Sequence, residues 1–516
     1  TSRCSSAASD VYKRQVRLLH HGDSTPLIAP ATEVANGDHV DLVVRSPGAD
    51  VSDSIVEDES DGASAIPIVA YVPNESAMNL GVDADLVVSE DPDVATVARE
   101  RFGANRVLLI DPSVDIHRDN PAGFERTPSA RICVFVERSS RDADTIADLA
   151  QAHPALEVVV EPGTTLPGET QAEEVPRAEW ADHAQHYAIV AADPSLHQTD
   201  VSFVEHVLAI SACGTPVTTE PDERLHHLLP GMTINPADEH ALTTITNDPL
   251  ERERFSVAAR RHVVREHNRR RRFEAVLDAL GIPLRSPPLV SVLLSTRRPD
   301  RVEAAFANIG LQRYPKVEVV AVLHGKGFDR AEVERLGARL AAPVTIIEAP
   351  GAWRLGDCLN AALESATGEL ITKMDDDDAY GPEHLEDLVA AYEFSGADIV
   401  GRAPDFVYIA ERDETLMITT GLAERYGYHV AGPTMLMSRD LARTLRFERR
   451  PSAVDQSLYD RAAAAGCLLY ATSPFDFVLY RGHGDHTWDA KDSDFVNASI
   501  LRWPGTVDDI TNVASD

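Results

Sequence analysis

Short apolar runs separated by helix-like stretches recur along almost the whole chain, and this alternation constrains the fold more than any other feature. Strands spaced this way lie parallel under covering helices, so the chain reads as α/β. A first series has strands at Val40–Val44, Ile66–Val72, Leu86–Val88 and Arg106–Ile110, with a helix over Asp91–Phe102. Pro67 lacks an amide donor and belongs at a strand start or edge. A second series has strands at Ile132–Val136, Leu156–Val160, Tyr187–Ala191 and Pro216–Thr219. Its helices are Val201–Ser211 and a long segment, Glu251–Leu280. Pro287 and Pro288 then stop helical structure, because proline removes a donor and blocks continuation.

A third series begins at once with strand Val290–Ser295, helix Arg301–Gln312 and strand Val317–Leu323. Strand Val344–Ile347, helix Leu355–Ser365, strand Leu370–Met374 and helix Pro382–Ser395 follow. The remainder is richer in strands: Phe406–Ile409, Leu416–Thr420, Thr434–Ser438 and Phe477–Arg481. The expected organisation is a partial Rossmann-like lobe at 16–125, a second lobe at 126–284 and a third domain at 285–516. Residues 1–15 are polar, resemble adapter read-through and are set aside as a non-native or disordered tail. Ser46–Gly62 is acidic and reads as a loop.

The chain carries 83 acidic against 48 basic residues, a formal net charge of -35. Such a surface repels phosphate backbones, which argues against a nucleic-acid partner. Five scattered cysteines with no Cys-x-x-Cys pair suggest neither zinc nor a disulfide framework, and a reducing cytoplasm fits. No apolar run reaches the ~18 residues of a membrane span, and no signal-peptide pattern is visible. The basic cluster Arg269–Arg272 reads as a solvated helix face. Docking on the acceptor or on anionic lipid, the latter at the inner face of the plasma membrane, is its functional alternative.

The chemistry concentrates at Lys373-Met374-Asp375-Asp376-Asp377-Asp378. Four carboxylates directly follow an apolar strand, and alternation sends Asp375 and Asp377 the same way. A hard divalent cation with oxygen ligands relieves their repulsion and bridges phosphates. An exposed acidic turn or a structural calcium site fits the four aspartates equally well. Asp455, at the start of a helix running to Ala465, is a candidate general base or an N-cap. His483 and His486, after the last apolar strand, are candidate metal ligands, and Trp488 offers a ring for sugar stacking.

The order Ala366-Thr367-Gly368-Glu369-Leu370-Ile371, the aspartate cluster, then Tyr380-Gly381-Pro382-Glu383-His384-Leu385 resembles the inverting glycosyltransferase family 2 of the GT-A fold. The resemblance covers about 230 residues. It implies that Ser295, Thr296, Arg297 and Arg298 form a nucleotide-binding turn and that Asn360 faces the nucleotide. It further implies Asp375 and Asp376 at the nucleotide, with Asp375 and Asp377, joined by His483 or His486, on Mn2+ or Mg2+. Asp455 would be the base, although Val454 stands where the family has Glu. Gly432-Pro433-Thr434 resembles the loop beneath donor sugar and acceptor. The second strand ends Leu323-His324-Gly325 where the family often has Asp-Asp, which leaves the base open among UDP-, GDP- and dTDP-sugars. The implied acceptor is a hydroxyl of a glycan, a lipid-linked sugar or a protein, in cell-surface polysaccharide biosynthesis.

Ala212-Cys213-Gly214-Thr215-Pro216-Val217 resembles a turn of GT-B glycosyltransferases, near spore-coat glycosyltransferase-like proteins. Val201 and Ala209 occupy the spacings of that family's two glutamates, with Glu205 out of phase between them. A degenerate GT-B pair of lobes is therefore expected, used for scaffolding or acceptor binding, with a second transferase site as the alternative. Two other functions are alternatives for the chain. A sugar nucleotidyltransferase would need a glycine-rich start after Val290–Leu294, which is absent. A non-catalytic carbohydrate- or nucleotide-binding protein would account for Val454 and His324.

Overall fold

The computed structural model describes residues 17–21, 41–45, 68–122, 129–136, 143–191, 201–482 and 491–513, apart from 73–74, 82–83, 153–155, 168–169, 283 and 285. These residues form two compact units, one within 12–120 and 126–286, the other from 287 onward together with 121–125. Residues 1–15, Ser46–Gly62, His483, His486 and Trp488 lie outside the described residues.

The first unit holds two five-stranded sheets. In one, β1 (Arg17–His21), β2 (Asp41–Arg45), β3 (Ile68–Tyr71), β4 (Leu86–Ser89) and β5 (Val107–Leu109) lie parallel in chain order. β1 has too few apolar residues for the sequence pattern to reveal it. Helix α1 (Pro92–Phe102) bridges β4 and β5, and the Asp91 carboxylate caps it by accepting the amides of Asp93 and Val94. That satisfies two of the donors a helix start leaves without partners.

The other sheet comprises β6 (Ser129–Val136), β7 (Leu156–Val160), β8 (Glu173–Glu174), β9 (Tyr187–Ala191) and β10 (Val217–Thr218). Its order is β10-β9-β6-β7-β8, all parallel. The order reverses between β6 and β9, as in a doubly wound sheet. Helix α2 (Val201–Ala212) leads through Gly214, at φ 83°, into β10.

The expected helix over Glu251–Leu280 is two helices, α3 (Pro249–Glu266) and α4 (Arg269–Ala279). Asn268 is extended and caps α4 by accepting the amide of Arg271 at 2.8 Å, while the backbones of His267 and Arg269 pair with Val114. The arginine cluster is likewise corrected. Arg272 is buried, donating to the carbonyls of Pro112 and Glu266, and Arg269 pairs with Asp115 at 3.1 Å. The cluster clamps α4 onto the 111–115 segment, and of its four residues Arg271 alone is exposed. Phe273, Val276 and Leu277 of α4 pack with Val69, Tyr71, Leu86, Val88 and Ile110, so the last helix completes the core of the first sheet.

The second unit contains β11 (Val290–Thr296), β12 (Val317–His324), β13 (Val344–Ala349), β14 (Leu370–Lys373), β15 (Ala379–Tyr380), β16 (Ile399–Arg402) and β17 (Phe406–Ile409). It continues with β18 (Glu414–Ile418), β19 (Arg425–Gly427), β20 (Leu436–Ser438), β21 (Leu469–Thr472), β22 (Phe477–Arg481) and β23 (Ser499–Pro504). An eight-stranded sheet runs β13-β12-β11-β14-β20-β16-β21-β19, and a smaller one β15-β22-β17-β18-β23. Helices α5 (Leu355–Ser365), α6 (His384–Ser395) and α7 (Val454–Ala464) flank them. α6 begins two residues beyond Pro382, which therefore lies outside the helix it was expected to open.

The first four strands of the large sheet are parallel, and β20 is antiparallel to β14. Adjacent parallel strands release their following turns at one edge. The segment after β11 and the acidic run after β14 therefore emerge side by side.

Candidate active site

Strand β14 is buried at every position, and the acidic run leaves its end. The run leaves the strand in a bend over residues 376–378, and burial divides the four aspartates into two pairs. Asp376 and Asp378 are buried, at 5% and 6% exposure, whereas the side chains of Asp375 and Asp377 keep 31% and 20%. The Asp378 carboxylate accepts the amide of Tyr480 at 2.9 Å, and burial pushes its carboxyl well above the ordinary range. Asp376 accepts from the Thr296 hydroxyl and from the Arg298 guanidinium. Both inward carboxylates thus fasten the run to neighbouring strands.

Asp376 and Thr296, expected at a nucleotide, are bonded to each other here. Thr296 is 2% exposed, and these two side chains hold the turn after β11 in place. Arg298 reaches across the run and also meets Asp377 at 2.8 Å. Burial works against its charge, but Asp376 and Asp377 hold it firmly protonated. Arg297 is exposed on the same turn, and Ser295 is half-buried at the end of β11. Asn360, expected to face a nucleotide, instead donates to the Phe447 carbonyl at 2.7 Å and accepts the Phe447 amide at 3.0 Å. Its amide is consumed in pinning α5 to that loop.

Asp455 lies in the first turn of α7. It is not the cap, for Ala453 takes that position in a left-handed conformation at φ 56° with no side-chain capping bond. The Asp455 carboxylate turns toward β14, where its Oδ2 lies 2.9 Å from Lys373 Nζ. The same ammonium lies 3.0 Å from Asp375 Oδ2. Lys373 is 2% exposed, and its two carboxylate partners outweigh burial to keep it charged. Burial pushes the Asp375 carboxyl up to about 6, with Lys373 opposing and Asp455 and Asp377 adding. The other oxygen of Asp455, Oδ1, is buried without a hydrogen-bond partner, as is the Tyr459 hydroxyl one turn along α7. Val454, where a glutamate was the family expectation, is 4% exposed in the core with Leu359, Met437 and Leu458.

Two further features frame this centre. A Cβ on Gly432 would lie 2.2 Å from Asp455 Oδ2, so only glycine lets the carboxylate close on this loop. Tyr428, 82% exposed, stands beside His429, whose ring packs edge-on against Tyr459 at 5.5 Å. At the end of β12, His324 is 5% exposed with Nε2 unpartnered, and burial, then Arg297, hold its imidazole below the ordinary value.

Lys373 and Tyr428 escaped the sequence reading. The signal for Lys373 was present, a lysine ending a strand otherwise too apolar to be an edge. No group of three or more His, Cys, Asp or Glu side chains arranged to hold a metal occurs among the described residues. Asp375 and Asp377 nevertheless suit a magnesium-like ion, which is commonly bound by one or two carboxylates and completes its shell with substrate phosphates and water. In the first unit, burial, then Glu90, push Glu205 up to about 7, while Val201 and Ala209 bring no carboxylate to α2.

The chain was compared with known proteins. The glycosyl transferase family 2 model matches residues 292–452. No curated protein matches. Among solved structures, a mannosyltransferase from Pyrobaculum calidifontis in complex with GDP-Man and Mn2+ is 20% identical over 38% of this chain and 57% of its own, at TM-score 0.31. S. aureus TarS 1-349 in complex with UDP-GlcNAc is 20% identical over 41% and 64%, at TM-score 0.33. The chain thus spans under two thirds of the length of either.

Proposed function

We propose, from the match of residues 292–452 to the glycosyl transferase family 2 model, that the protein moves a sugar from a nucleotide-sugar donor to an acceptor hydroxyl with inversion. One observation supports this above the others. Asp455 Oδ1 is a buried carboxylate oxygen with no donor, on a side chain whose second oxygen is already held. Leaving such an atom unpaired costs about 1–3 kcal/mol, which an incoming hydroxyl would recover.

In this reading Oδ1 accepts the acceptor proton as the new carbon–oxygen bond forms on one face of the sugar. The bond to the diphosphate breaks on the other face, and its electron pair leaves with the nucleoside diphosphate. Asp375 and Asp377 would hold Mn2+ or Mg2+, which when bound offsets charge on the diphosphate. Arg297, exposed on the turn after β11, supplies a further cation on the donor side. Tyr428 offers the acceptor an exposed ring, consistent with a glycan or lipid-linked sugar. The donor is a UDP-, GDP- or dTDP-sugar.

We place the enzyme in the cytoplasm, in cell-surface polysaccharide synthesis. Cys133, Cys213, Cys358 and Cys467 are buried thiols rather than disulfides, as suits a reducing compartment. No helix among the described residues is long and apolar enough to cross a membrane. The first unit, two α/β lobes without the paired glutamates, is assigned scaffolding or acceptor binding.

The test is release of nucleoside diphosphate from a panel of nucleotide sugars with Mn2+ or Mg2+. Metal-dependent release by the native chain, lost in Asp377→Ala and Asp455→Ala, is expected. Absence of both release and metal-dependent nucleotide binding by calorimetry would overturn the reading.

A further inference from the structure

Lys373 is the one lysine in the large sheet's interior, and the proposed reaction gives it no task. Its backbone is tied into β14, with its amide donating to Met435 at 3.2 Å and its position paired with Leu293 of β11. A buried ammonium is costly to desolvate, and an apolar residue of similar size is often as stable or more so at such a place. Stability alone therefore does not explain a charge here.

The contacts suggest what does. One ammonium touches Oδ2 of Asp455 on α7 and Oδ2 of Asp375 at the end of β14. Among the described residues these are the only side-chain partners of Nζ. The base and the donor-side carboxylate would otherwise repel each other across the gap between helix and strand. With Oδ2 occupied, the Asp455 carboxylate cannot rotate freely, and Oδ1 is the oxygen left for a substrate.

We propose that Lys373 is a positioning residue for sugar transfer, clamping Asp455 Oδ2 so that Oδ1 alone meets the acceptor hydroxyl, and fixing that base relative to Asp375. The proposal rests on the transferase reading above. The lysine touches neither substrate nor proton in flight. It acts through Asp455, and it does so by charge and reach.

The full chain is assayed with the donor found in the screen, comparing the native protein with Lys373→Met, Lys373→Arg, Asp455→Asn and the double variant Lys373→Met/Asp455→Asn. Thermal melting and calorimetry with the nucleoside diphosphate and Mn2+ accompany the kinetics. Lys373→Met is expected to lose about 100-fold in kcat, the cost of a displacement near 1 Å at a reacting group, with donor KM and nucleotide affinity nearly unchanged. Lys373→Arg should recover about tenfold of that loss because it keeps a cation in reach of both carboxylates. In the Asp455→Asn background, Lys373→Met should cost nothing further, since residues acting through one another are not additive.

Native kcat in Lys373→Met, or losses that multiply in the double variant, would overturn the clamp while leaving the transferase reading intact. Full turnover in Asp455→Asn would instead remove the base assignment itself. If Lys373→Met does not fold, Lys373→Arg decides, because a folded arginine variant with no activity at all and native nucleotide binding contradicts a role carried by charge.

Discussion

Gly432→Ala puts the placement of Asp455 to its most direct test. The added methyl would stand 2.2 Å from Oδ2, 2.8 Å from Cγ and 3.1 Å from Cβ of Asp455. Comfortable carbon contacts begin near 3.5 Å, so the carboxylate must withdraw by about 1 Å. That retreat also stretches the 2.9 Å contact with Lys373. A 1 Å misplacement of a reacting group costs about 100-fold in rate, or about 2.7 kcal/mol of barrier. Overpacking should also lower stability, by about 1–3 kcal/mol. The assay is steady-state transfer with saturating donor, kcat and acceptor KM being read separately, beside a melting curve. The expected result is a folded protein with native nucleotide affinity and kcat down about 100-fold. A folded Gly432→Ala protein with kcat within about threefold of native would show that Asp455 Oδ2 need not stay where the structure puts it, and the base assignment would fail with it.

Two further outcomes follow from particular contacts. Asn360→Ala removes two hydrogen bonds to Phe447, worth about 2 kcal/mol, and should lower the melting temperature by about 4–8 °C with nucleotide affinity unchanged; a tenfold weaker affinity at native stability would restore the nucleotide-facing role. His267 is buried, with Nε2 2.8 Å from the Leu228 carbonyl and Nδ1 2.8 Å from Arg272 Nη2, a pairing that a neutral imidazole alone satisfies. Burial, then Arg272, drive it down to about 4 from 6.5. The unfolded chain therefore takes up the proton first, and stability present above pH 6.5 is lost as pH falls toward 4, by about 3 kcal/mol. Chemical denaturation across that window should show the slope in the native chain and lose it in His267→Asn; equal slopes would place the proton elsewhere.

The α/β alternation was legible because parallel strands buried on both faces must read as continuous apolar runs, as in Leu86–Val88 and Tyr187–Ala191. Alternation along the chain singled out Asp375 and Asp377, the two of the four aspartates with the more exposed side chains. Lys373 showed only as a lysine ending an apolar strand, because its partner Asp455 lies on a helix 82 residues away in sequence and leaves no local signature. The bonds of Asn360 to Phe447 were illegible for a related reason, since that loop is fixed only by tertiary packing. The break between α3 and α4 was hidden because good helix formers flank it on both sides, although Asn268, a favoured cap residue, stands at the break and accepts the Arg271 amide. Strands β16, β21 and β23 went unread because four to six residues of mixed polarity carry too little period to stand out.

The return of α4 to the first sheet also determines when that lobe can be finished. Its apolar face waits for Phe273, Val276 and Leu277, which leave the ribosome after the whole of the second lobe. Closing that long loop makes the first lobe a late-forming structure despite its early sequence, with β3 and β4 bare on one side in the interval. A chain cut after Glu266 would keep every strand of both lobes and still lack a completed first core. The two lobes are thus bound into one cooperative unit by their last helix, and neither can be excised at the point where the sequence suggests a boundary.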